Sequence, residues 1–159
     1  MAASELLGTY LNDHLAGAAT GSELAKKLSE ENAGGRYGSF LAELATEIEQ
    51  DRATLAELMD RLDIERSTVK QAAGWISEKL TRVKFSESLT GSADLKRLLE
   101  FETLSLGIEG KQAMWRSLRQ VSDRYPELAA DLDALVKRAE EQRSGLEEHR
   151  LDAASKALG

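Results

Sequence analysis

Six residues carry side chains suited to holding a divalent metal or moving a proton: His14, Glu47, Asp51, Glu102, Glu109 and Gln142. Glu47 and Asp51 stand four apart in EIEQDRATL (47–55), so on a helix both carboxylates share one face. RAEEQRSGL (138–146) has the same rhythm, with Ile48 over Ala139, Asp51 over Gln142, Arg52 over Arg143 and Leu55 over Leu146. A shift of register would let His14, Glu47 and Asp51 meet Glu102 or Glu109 in one mixed carboxylate–imidazole centre. The simpler outcome in a helical core is a polar cluster that satisfies its own hydrogen bonds. Other chemistries are excluded by residue type. The chain has no cysteine, so disulfides, thiolate metal sites and cysteine nucleophiles are absent. It has two histidines, His14 and His149, and no Gly-rich phosphate loop, nucleophile elbow or H-E-x-x-H motif.

The elements that must position these residues are helices. The 159 residues are rich in Ala, Leu, Glu and Arg and contain one proline, Pro126, which leaves little from which to build strands. The length suits a single domain, residues 1–159. A net charge of −7 argues against nucleic acid as a partner, because phosphate binding calls for a basic face. No apolar run approaches the ~20 residues needed to span a bilayer. MAASELLGTYLNDHL has no basic region ahead of a long apolar run, so a cytoplasmic protein is expected.

Apolar spacing predicts five helical stretches. The first covers Ala3 to Glu31, with Leu7, Leu11, Ala18, Ala25 and Leu28 on one stripe and NAGG (32–35) breaking it. The second runs from Arg36 to Leu62, its stripe Leu41, Leu44, Ile48, Leu55, Leu58 and Leu62. Ser67 is placed to cap a short third helix reaching Val83, followed by the loop FSESLTGSA (85–93). The fourth runs from Asp94 to Ser122 and is the most apolar, which predicts the most buried helix. After the turn SDRYP, the fifth starts near Pro126, a residue welcome in a first turn, and reaches Leu158.

At ~1.5 Å per residue the first two long helices match as an antiparallel hairpin, as do the last two. About thirty residues with one short helix join them, enough to cross the length of a bundle. In this layout the chain resembles the ferritin-like superfamily. Residues 47–55 and 138–146 are similar to its ligand-bearing helices, and YLNDHLAG (10–17) and LSLGIEGKQAMW (104–115) resemble a bacterial branch of that fold. The resemblance implies an all-α, antiparallel four-helix bundle of two hairpins joined by a long crossover. It also implies a site of two Glu and two E-x-x-H pairs. Here the E-x-x-H positions read Ile48–Asp51 and Ala139–Gln142, so the usual ligands are not retained.

The expected protein is therefore a non-enzymatic intracellular bundle that needs no cofactor and acts by binding or self-association. The alternative is a ferritin-like metal-binding protein or oxidoreductase with an irregular carboxylate/His site. A third reading is a small-molecule binder, with a cavity bounded by Ala18, Asp51, Leu106 and Gln142. His14 falls on the inward register Leu7, Leu11, His14, Ala18, where a neutral, hydrogen-bonded imidazole is the expected state. Gly17, Ala18, Ala19 and Gly21 thin one face of the first helix and suggest close helix approach. Arg66, Lys70, Lys79, Arg82, Lys84, Lys96 and Arg97 form one locally basic segment, expected to be a solvated face. Trp75, Phe85 and Leu89 are expected at a homodimer seam.

Overall fold

The structure is a computed structural model that describes residues 3–67, 92–128 and 130–159. Among these, four long helices pack together: α1 (Glu5–Glu31), α2 (Gly38–Arg61), α3 (Ala93–Val121) and α4 (Leu132–Leu158), with a 3-10 turn at Ser122–Arg124. The described residues form no strand. The predicted short helix ending at Val83, the 85–93 loop apart from its last two residues, and the seam residues Trp75, Phe85 and Leu89 lie outside the described residues.

Helix starts follow local chemistry. Ser4 Oγ accepts from Leu7 N and Ser92 Oγ from Leu95 N, each at 3.1 Å, so two otherwise orphaned N–H groups are satisfied where α1 and α3 begin. The fifth predicted stretch begins later than Pro126. Asp131 is the cap of α4, its carboxylate accepting from Ala134 N at 2.9 Å, and the described residues between Ser122 and Ala130 make turns instead. A side-chain acceptor at 131 outweighs the mere tolerance of proline at 126.

The α1–α2 turn is tight. Gly34 takes φ +76°, and a Cβ on Gly38 would lie 2.7 Å from the Asn32 carbonyl oxygen, a backbone atom that cannot yield. Asn32 locks the turn to the bundle by donating to Leu28 O at 2.8 Å and accepting from Arg97 Nε at 3.0 Å.

Cross-helix bonds fix the directions. Asn12 reaches Glu65 O while Ser22 reaches Glu49, so α1 and α2 are antiparallel. Lys111 meets Gln142 and Arg150 meets Glu102, so α3 and α4 are antiparallel. Lys27 bonds Glu100 and Lys96 pairs with Glu31, which sets α1 against α3, and Arg138–Gln50 with Tyr37–Asp152 sets α2 against α4. All four neighbouring pairs are thus antiparallel, and α2 and α3 run the same way. The end of α2 lies beside the start of α1, whereas α3 begins beside its end.

The core divides in two along the axis. One half holds Leu28, Leu41, Phe101, Leu104 and Leu146; the other holds Leu11, Leu55, Met59, Trp115 and Leu118. Every member of the predicted α2 stripe is buried. Burying one such leucine is worth ~1.5–3 kcal/mol, so the two clusters carry the stability. Leu106, by contrast, is 42% exposed and takes no part in the core. Among the described residues no helix is long and apolar enough to cross a membrane.

Candidate functional site

Between the two apolar halves lie polar residues from all four helices, among them His14 on α1, Asp51 on α2, Lys111 on α3 and Gln142 on α4; Gln112, also buried on α3, accepts from Arg143 at 3.3 Å. The spacing does this. Ile48–Asp51–Leu55, Ile108–Lys111–Trp115 and Ala139–Gln142–Leu146 all step by three and four, so a polar residue within the run is carried to the core with its apolar neighbours.

Lys111 is the hub of this layer. Its Nζ donates to Asp51 Oδ2 at 2.7 Å and to Gln142 Oε1 at 2.6 Å. Gln142 Nε2 donates in turn to Asp51 Oδ2 and Glu47 Oε1, each at 3.1 Å. Arg138 Nε stands 3.3 Å from Glu47 and 3.7 Å from Asp51, and its guanidinium also donates to Gln50 at 2.7 Å. Glu47 and Asp51 on α2 face Arg138 and Gln142 on α4, both pairs four apart and so one turn apart on their helices. Asp51 is 3% exposed and the Lys111 side chain 14%. Burial pulls the Lys111 ammonium below the ordinary lysine value, and Asp51 pulls the other way.

This layer does not fit the metal pair that the sequence resemblance implies. Its two carboxylates already face two protein cations, Lys111 and Arg138. A metal ion would have to displace an ammonium that makes two short hydrogen bonds. Among the described residues no group of three His, Asp or Glu is gathered to hold a metal.

Of the six candidates, Glu47, Asp51 and Gln142 meet in this network, and His14 lines the same slot as Asp51. Glu102 and Glu109 do not join. Glu102 pairs with Arg150 at 3.0 Å, and the exposed Glu109 lies 3.7 Å from Arg143. Lys111 is neither an acid nor an imidazole, so residue type does not mark it as a metal ligand; the readable signal is its place on the stripe Leu104, Ile108, Lys111, Trp115. Of the basic segment, Arg66 pairs with Asp60, Lys96 with Glu31 and Arg97 with Asp94; Lys70, Lys79, Arg82 and Lys84 lie outside the described residues.

Beside the layer, a narrow slot of about 90 Å3 runs between α1 and α3. Small residues form its mouth: Gly17, Ala18 and Gly21 from α1, Gly107 and Gly110 from α3. A Cβ added at Gly21, Gly107 or Gly110 would meet no atom within 4 Å. Among the described residues, α1 at Gly21 therefore borders open space rather than a tight helix contact. Asp51 and Lys111 form part of its inner wall, together with Leu104, Ile108 and Trp115. The expected boundary at Ala18 and Asp51 is met, whereas Leu106 and Gln142 do not line the slot. Gln142 lies level with Lys111, five residues beyond Leu106, because the turn between α3 and α4 is longer than SDRYP alone.

Two polar groups at one end of the slot bear on its chemistry. The Trp115 side chain is fully buried, and among the described residues its Nε1–H meets no acceptor, a condition that costs ~1–3 kcal/mol. His14 packs edge-on against Tyr10 at 4.7 Å, and burial lowers its pKa despite the nearby Asp13, so it is neutral at neutral pH. No family model, curated protein or solved structure matches the chain.

A second buried charge lies nearer the Asn32 end. Glu100 is 1% exposed and faces Lys27 at 3.3 Å and Lys96 at 3.9 Å. Burial, reinforced by Glu31, raises its pKa above the ordinary glutamate value. A raised carboxyl contributes stability that is complete below the unfolded value and is lost as pH rises through the folded one. Glu100→Gln removes this dependence. Urea midpoints are expected to show the variant gaining on the parent between pH 4.5 and pH 8; a constant difference would refute the assignment.

Proposed function

We propose that this chain is a ligand-binding bundle of ferritin-like layout, its two hairpins joined by a crossover, in which an ion-pair layer stands where the fold's metal pair would be. It acts by binding rather than by catalysis, and it takes a small molecule in the α1–α3 slot. The slot carries this reading. Packed interiors leave few voids larger than a water molecule, and a helix pair with glycines facing one another would close if nothing favoured the gap. A slot lined by leucine and isoleucine but ending at donors is built for a molecule with an apolar body and a polar tip. A bundle with these features also fits a cytoplasmic protein.

Xenon enters apolar hollows of this kind without needing any polar contact. Amide resonances followed under xenon pressure are expected to move saturably at Gly17, Gly21, Gly107 and Gly110. Gly107→Leu should abolish the movement while the variant melts no lower, since leucine is the better helix former. Movements scattered over the bundle, or none, would remove the reading.

A further inference from the structure

We propose that the buried polar layer is a register lock: it selects one axial alignment of the α1–α2 hairpin against the α3–α4 hairpin, a choice that the apolar stripes leave open.

The stripes are close to self-similar. Asp51 on α2 meets Lys111 on α3, a pair separated by 60 in sequence, and the two helices run the same way. The same separation sets Leu41 level with Phe101, Leu44 with Leu104, Ile48 with Ile108, Leu55 with Trp115 and Leu58 with Leu118. Each of these couples lies within one apolar half. A slide of about two turns, seven residues or ~10 Å, repeats much of this pattern. In one direction Ile48 comes level with Phe101, Leu55 with Ile108 and Leu62 with Trp115; in the other, Leu41 with Ile108 and Ile48 with Trp115. Apolar burial is non-directional, so these alignments are close competitors.

The layer separates them. Either slide brings Asp51 level with Leu104 or Leu118, and Lys111 with Leu58 or Leu44. Each charge is then buried without its partner, which outweighs any difference in apolar fit. The signs are divided between the hairpins. α2 supplies Glu47 and Asp51, while α3 and α4 supply Lys111 and Arg138, so each of these ion pairs crosses from one hairpin to the other. A buried polar residue fixes register in coiled coils by the same penalty.

The outer ion pairs hold the alignment less firmly, because their members have second partners on their own helices. Lys27, Glu31, Lys96 and Glu100 meet across the hairpins, yet Lys27 also pairs with Glu31 and Lys96 with Glu100. Asp152 meets Arg36 across the hairpins and Lys156 along α4. These charges stay paired after a slide. The bonds of Asp51 and Lys111 all leave their own helices.

The chain has no cysteine, so spin labels can be placed at Glu57→Cys on α2 and Glu148→Cys on α4, both exposed and on opposite sides of the layer. Dipolar spectroscopy on the full chain is expected to give one separation. Lys111→Met, Asp51→Leu and Gln142→Leu together remove the buried layer. The labelled triple variant should still unfold cooperatively and should show a second separation, displaced by up to ~10 Å. Leu55→Ala, which weakens the core without touching the layer, should keep the single separation of the parent. A triple variant with one unchanged separation would overturn the proposal, as would an equal displacement in Leu55→Ala. If the triple variant loses cooperative unfolding, the layer is needed to fold the chain rather than to align it, and the proposal fails as well.

Discussion

Lys111→Met is expected to lower the unfolding free energy by about 3–5 kcal/mol at pH 7, the range found when one partner of a buried ion pair is removed. Asp51, 3% exposed, would keep only the Gln142 amide at 3.1 Å and Arg138 at 3.7 Å. An unneutralised carboxylate at that depth is far costlier than the methylene packing that methionine restores. Adding Asp51→Leu to Lys111→Met should recover most of the loss, because an apolar pair of similar volume no longer needs a counter-charge. Urea unfolding of the two single variants and the double variant gives the coupling directly. A single-variant cost under about 1 kcal/mol would show that the layer is not a coupled pair. The pH dependence has a definite sign. The folded Lys111 pKa lies below its unfolded value near 10.5, so the unfolded chain binds more protons between the two. The contribution of Lys111 is complete above the unfolded value and falls as pH drops through the folded one. The cost of Lys111→Met should therefore grow as pH is raised toward 10.5.

The parts of this fold that were legible from sequence are those where one face of a helix alone could be apolar. In α2 the steps Leu41, Leu44, Ile48, Leu55, Leu58 leave no second face to bury, and all are buried. The α3 start was legible because the Ser-, Thr- and Gly-bearing stretch FSESLTGSA gives way there to a dense apolar run. The α4 start was not, since Pro126 permits a helix without compelling one and Asp131 supplies the acceptor that does. With the helix start put at Pro126, Gln142 falls beside Leu106 instead of Lys111, five residues along α3, and the hub of the polar layer stays hidden. In a long charged helix a lysine is expected in solvent, and composition gives no hint otherwise. Only its register with Leu104, Ile108 and Trp115 marks Lys111 as inward. The slot was harder still. Gly17 and Gly21 predict a thin face, but whether two thin faces close or stay apart depends on Gly107 and Gly110 lying opposite, and that is a fact of packing.

Charge reversal at Lys111 tests more sharply whether its ammonium keeps a metal ion out of this layer. Lys111→Glu would put a third carboxylate beside Glu47 and Asp51, with Arg138 as the cation that the described residues still pair with them. Like charges this close cannot all ionise, so the new carboxyl should titrate high. The variant should then be least stable at high pH and recover as pH falls and the site takes up a proton. At pH 7.5 the expected loss is about 5 kcal/mol or more, beyond that of Lys111→Met because repulsion adds to the missing pair. Combining Lys111→Glu with Gln142→His supplies an imidazole at the same depth. Manganese should stabilise this double variant by about 2.7 kcal/mol at a hundredfold excess over its dissociation constant. Thermal melts with MnCl2 and with EDTA read this directly, and the parent protein should melt at one temperature in both. If manganese raises the parent as much as the variant, a metal site exists that Lys111 does not block. If the variant is as stable as the parent without metal, the three acidic groups are not crowded, and the midpoint of the bundle is wetter than its burial implies.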